Sequence, residues 1–107
     1  MAARIQIQPN KPKAGDIVEV RIIIGHAMES GLRRDDMGRR VQRNIVNKIT
    51  CRYLGQEVFR AELGPGIAAN PYLTFHTRVS RSGEFLFDWV DDDGERGSER
   101  VAVDVQS

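Results

Sequence analysis

Apolar and polar residues alternate with period two along most of the chain, and helical periodicity is almost absent. Ile5 and Ile7 open a short strand that Pro9 stops, and Lys11–Asp16 reads as a turn. From Ile17 to Ile24, one face has Val18, Val20, Ile22 and Ile24, and the other has Ile17, Glu19, Arg21 and Ile23. Residues 45–53 put Ile45, Ile49, Cys51 and Tyr53 (with Asn47) on one face and Val46, Lys48, Thr50 and Arg52 on the other. After a tight connection at Leu54-Gly55-Gln56, Phe59, Ala61 and Leu63 alternate with Arg60 and Glu62. Leu73, Phe75, Thr77 and Val79 form the next apolar face, then Phe85, Phe87 and Trp89, then Val101, Val103 and Val105. Such alternation is what a sheet with one buried and one wet face requires. Seven strands in about 100 residues predict an all-β, immunoglobulin-like β-sandwich of about seven strands, with a small open barrel as the alternative.

Two segments break the alternation. Residues 25–44 form a 20-residue connection, and long irregular loops in compact domains are usually functional or disordered. Residues 64–71 form a second loop, with Pro65 and Pro71 as stiffeners. Ile23, Val46, Leu86, Val90 and Ala102 fall on the faces opposite the predicted core; if several adjoin in one sheet, they form a patch of the kind that marks a protein interface.

The chain has 107 residues, enough for one domain spanning 1–107 with one core. Its 16 Lys and Arg against 15 Asp and Glu leave a net charge of +1, without the basic excess of a nucleic-acid module. No apolar run approaches the ~20 residues of a membrane-spanning helix. The N-terminus lacks the unbroken apolar stretch of about 7–15 residues that a secretory signal needs. The expectation is a cytosolic chain, or one that leaves the cytosol with a signal-bearing partner.

The chemistry on offer is sparse. Cys51, the one thiol, shares a face with Ile49 and Tyr53, which predicts burial. His26 and His76 lack metal-site spacing, and His76 falls on an outward face. Asp91-Asp92-Asp93-Gly94 lacks the alternate ligand spacing of a calcium loop and reads as a solvated hairpin turn. No catalytic residues, metal ligands or cofactor site stand out. In the long loop, Arg33, Arg34, Arg39, Arg40 and Arg43 outnumber Glu29, Asp35 and Asp36. This allows a salt-bridged loop, a partner-docking loop, or a stand-alone anion- or protein-binding module using residues 25–44.

The residues His26-Ala-Met28-Glu29-Ser30-Gly31 with Arg33 and Asp35, then Asn44–Cys51, Asn70–Phe75, Gly83-Glu84-Phe85, Trp89 and Asp91–Gly94, resemble the SoxZ family along nearly the whole chain. The resemblance implies an immunoglobulin-like, non-catalytic subunit that pairs with SoxY, as a heterodimer or higher assembly, in a sulfur carrier complex of thiosulfate oxidation. The SoxY subunit covalently carries sulfur intermediates on a C-terminal cysteine arm. That arm visits a cytochrome, a sulfate-releasing hydrolase and a sulfur dehydrogenase in turn. The complex is periplasmic, and SoxZ is exported bound to SoxY. Neither nucleic acid nor membrane is an implied partner. The resemblance gives His26, Met28, Glu29, Ser30, Gly31 and Arg33 partner-docking or loop-shaping roles. The chain ends Val101–Ser107 with no Gly-rich tail or terminal cysteine, so the mobile thiol is expected on the other subunit.

Overall fold

The computed structural model describes residues 2–64, 66 and 69–107. Pro65, one of the two expected loop stiffeners, lies outside them. Seven strands follow in chain order: β1 (Ala3–Gln8), β2 (Ile17–Ile24), β3 (Val46–Tyr53), β4 (Gln56–Glu62), β5 (Tyr72–Arg78), β6 (Gly83–Asp91) and β7 (Arg96–Val103). They build two antiparallel sheets, in the order β1-β2-β5 and β4-β3-β6-β7. The layers pack face to face as the immunoglobulin-like sandwich that the alternation predicts.

Val18, Val20, Ile22 and Ile24 of β2 meet Ile49, Cys51 and Tyr53 of β3 and Phe85, Phe87 and Trp89 of β6 in one core. Each fully buried aliphatic or aromatic side chain of this kind stabilises the fold by roughly 1.5–3 kcal/mol. Phe59 of β4 and Phe75 of β5 stack across the layers with ring centroids 4.3 Å apart. The Tyr53 hydroxyl accepts the backbone N–H groups of Ser80 and Arg81, each at 3.1 Å, and donates to the Arg81 carbonyl. It thereby ties the end of β3 to the β5–β6 turn.

Three details depart from simple alternation. The β3–β6 register shifts between Val46 and Lys48, a bulge that turns both Ile45 and Val46 fully inward. Val46 therefore belongs to the core and not to an outer face. Ile23 lies on the β1-β2-β5 sheet, whereas Leu86, Val90 and Ala102 share the other sheet on the adjacent strands β6 and β7. Finally, β7 begins at Arg96, five residues before the Val101 alternation, and Val105 lies beyond its end while still packing on the core.

Residues 25–44, between β2 and β3, are an ordered hairpin arm. Glu29 and Asn44 exchange both backbone hydrogen bonds at 2.8 Å, and Arg34 faces Arg40 in a second bridge. Asp35 closes the tip: its Oδ1 accepts the N–H groups of Met37 and Arg39, and its carbonyl accepts that of Gly38. The protein measures 60 Å along its longest axis, about twice the ~30 Å of its nine-residue longest strand.

Candidate functional site

The arm's root is built on the acidic turn that follows β6. Asp91 ends β6 with its side chain almost fully buried, and His26 begins the arm with its ring 7% exposed. The His26 Nδ1 accepts the N–H of Met28 at 2.9 Å, so Nε2 bears the ring hydrogen and donates it to Asp91 Oδ2 at 3.1 Å. The other carboxylate oxygen of Asp91 accepts the N–H of Glu95 at 2.8 Å. Burial pushes the Asp91 carboxyl up, but hydrogen bonds from His26, Glu95 and Asn44 outweigh it and hold the group below the usual aspartate value.

Asp92 clamps the returning strand of the arm. It accepts hydrogen bonds from Asn47 Nδ2 and Arg43 Nε at 2.9 Å and from the Ile45 N–H at 3.3 Å. The Asn47 bond is the main reason its carboxyl is also held low, with Ile45 and Arg43 adding to it against the cost of burial. The reading of Asp91-Asp92-Asp93 as a solvated turn is thus corrected: two of these three side chains fasten the arm to the sandwich. Among the described residues, no three His, Cys, Asp or Glu side chains gather as metal ligands.

Both carboxylates have folded-state pKa values below their unfolded ones. Their contribution to stability is therefore complete above the ordinary aspartate range of about 4 and is lost as pH falls through the lowered values. Urea midpoints measured from neutral pH down to about pH 3 are expected to fall more steeply for the native chain than for an Asp91→Asn, Asp92→Asn variant. Parallel profiles would show that the two groups titrate normally.

The six loop residues singled out in the sequence fall into two sets. Met28 has left-handed backbone (φ 55°) and sends its side chain into the core, where Sδ accepts the N–H of Val46 at 3.2 Å. Gly31 is also left-handed (φ 88°), and a Cβ there would meet the Cβ of Arg43 at 3.1 Å, so the two sides of the arm close only over glycine. With His26, these residues shape the arm. Glu29, Ser30 and Arg33 are on its accessible side. Arg33 grips Glu29 through both Nε and Nη2, and this hydrogen bond is the main cause of the lowered Glu29 carboxyl. Ser30 Oγ accepts the N–H of Leu32 at 3.3 Å. Ion pairs with Glu29, Asp35 and Asp92 occupy Arg33, Arg39 and Arg43, as expected of a salt-bridged loop. Reading the sequence did not single out Leu32 and Met37, which are 79% and 76% exposed near the tip. Apolar residues in a stretch without periodicity were the available signal.

Cys51 is fully buried in β3, and burial alone pushes its thiol up to about 12. Thiol reagents are expected to label the native protein very slowly and the urea-unfolded protein fast. Equal rates would place the sulfur at the surface. His76 is exposed beside Glu19, at 3.7 Å, as the outward face of β5 predicts.

Sandwich and arm together define the class: an immunoglobulin-like β-domain with a braced hairpin projecting from one end. The profile of the sulphur oxidation protein SoxZ matches residues 5–102. The chain belongs to the SoxZ family of sulphur oxidation proteins. No curated protein matches it by sequence. Among solved structures, a superoxide reductase (neelaredoxin) from Ignicoccus hospitalis superposes with a TM-score of 0.76 at 19% identity, over 99% of this chain and 81% of that one. The sulfur carrier protein SoxY from Chlorobium limicola f thiosulfatophilum superposes with a TM-score of 0.69 at 13% identity, over 100% of this chain and 81% of that one. At these identities the likenesses are of fold.

Proposed function

We propose that this chain is the non-catalytic partner of a SoxY-type subunit in a sulfur carrier complex of thiosulfate oxidation. The family match over residues 5–102 carries the reading, and the burial of Cys51 supports it, because a thiol enclosed in a sheet cannot accept and pass on sulfur. The division of labour is physical. The SoxY-type subunit carries the sulfur intermediate on a mobile cysteine arm, and this subunit gives it a rigid body from which to swing. Cytochrome, hydrolase and dehydrogenase enzymes then meet the complex transiently in the periplasm, to which this chain travels bound to its partner. Of the six loop residues, Glu29, Ser30 and Arg33 are open to contact with the partner subunit, and His26, Met28 and Gly31 serve that contact by fixing the arm.

The test is co-expression with a SoxY-type subunit followed by size exclusion at micromolar concentration. Co-elution as a stoichiometric complex is the expected result. Separate elution, or sulfur-compound turnover by this purified chain alone, would overturn the proposal. The ion pairing of Arg33, Arg39 and Arg43 removes three of the arm's five arginines from a stand-alone anion receptor, leaving Arg34 and Arg40.

A further inference from the structure

The free end of the arm has a rung that the isolated chain leaves unsatisfied. The N–H of Asp35 donates to the Arg39 carbonyl and that of Val41 to the Arg33 carbonyl, both at 2.8 Å. This pattern makes Arg34 and Arg40 the non-hydrogen-bonded pair between them. In such a pair the Cα atoms lie about 4.5 Å apart, and the two side chains leave one face at their closest spacing. Two like charges in that position repel each other. Among the described residues, neither guanidinium has a carboxylate within ion-pair distance; Arg34 donates only to the Gly38 carbonyl, at 2.9 Å. The ion pairs nearby belong to other arginines of the arm. Arg33 is engaged with Glu29 and Arg39 with Asp35, and Asp36 is exposed on the turn without an ion pair.

Leu32 and Met37, the most exposed large apolar side chains among the described residues, lie in the same short stretch. The braces at the root, His26 with Asp91, Met28 in the core and Arg43 with Asp92, fasten the base of the arm to the sandwich. Two exposed apolar side chains on the same arm as an unneutralised cationic pair are complementary to a surface of opposite kind, carboxylates bordered by apolar area.

We propose that the arm tip docks on an acidic surface of the SoxY-type subunit, where carboxylates pair with Arg34 and Arg40 and Leu32 and Met37 enter the apolar surface beside them. This rests on the pairing proposed above. A guanidinium binds a carboxylate through two parallel hydrogen bonds, so partner carboxylates would neutralise the rung and fix its orientation. A small oxyanion would neutralise the arginines equally well but would leave Leu32 and Met37 in water, which is why the geometry favours a protein surface. The repulsion in the free chain then acts as a specificity device, relieved only when the matching partner is seated.

The experiment separates docking from a structural role. Arg40→Glu sets a carboxylate opposite Arg34. The thermal midpoint of the isolated variant is expected to rise by about 1–5 °C, while its affinity for the SoxY-type subunit falls at least about tenfold. Leu32→Ser with Met37→Ser, which alters only exposed positions, is expected to weaken the complex with an unchanged circular dichroism spectrum. Raising the salt concentration should weaken the native complex more than the Arg40→Glu one. Unchanged affinity of both variants in a complex that the native chain does form would overturn the docking site and leave the pairing intact. A lowered midpoint for Arg40→Glu would overturn the repulsive rung. Sulfate binding by the isolated native chain, abolished by Arg40→Glu, would reassign the rung to a small oxyanion. Failure of the native chain to bind the SoxY-type subunit would remove both readings.

Discussion

Trp89→Ala is expected to destabilise the protein by about 3–5 kcal/mol in urea denaturation, the cost of emptying a large aromatic site in a packed core. The indole is 3% exposed and lies over Gly97, its cross-strand partner on β7. A Cβ at Gly97 would fall 2.3 Å from the indole Cε2 and Nε1, so the glycine is the space that the tryptophan fills. Gly97→Ala is therefore expected to cost about 1–3 kcal/mol by overpacking. In the Trp89→Ala background the obstacle is gone and most of that cost should vanish, so the two changes are coupled. Strict additivity would mean that the indole sits elsewhere.

Asp91→Ala should cost about 2–4 kcal/mol, because it strands the buried Nε2–H of His26 without an acceptor and removes the carboxylate that bonds the N–H of Glu95. The damage should concentrate in the arm. Amide exchange at Glu29 and Asn44, which bond to each other across the root, is expected to speed up well beyond the change at core positions such as Val20 and Phe87. His26→Ala should reproduce much of this loss, and the double variant should add little to either single one, since the two residues serve one contact. A uniform rise in exchange across both sheets would instead mean that the pair supports the whole fold.

Strands β2, β5 and β6 were legible because each buries one face and wets the other, and the pleat writes that difference into alternate residues. Val46 was misplaced because a bulge adds a residue without changing the types around it, so parity before Lys48 no longer reports the face. The start of β7 was hidden because Arg96, Gly97, Ser98 and Glu99 lie on an edge strand, where neither face requires apolar residues until Val101. The arm was visible as an interruption of the alternation, and the resemblance drew attention to His26, Met28 and Gly31. Its brace could not be read, because His26 and Asp91 are 65 positions apart and no local pattern couples them. Nor could the tip, since a hairpin wet on both faces has no periodicity to detect.

Met28 and Met37 lie on the same arm in opposite surroundings, 6% and 76% exposed. Thioethers open to water are readily converted to sulfoxides by peroxide, and the product is polar and chiral where the side chain had been soft and greasy. An oxidant would thus reach the end of the arm long before its anchor. It would make the tip more polar while leaving the scaffold sound, and a sulfoxide reductase could reverse the lesion without any unfolding.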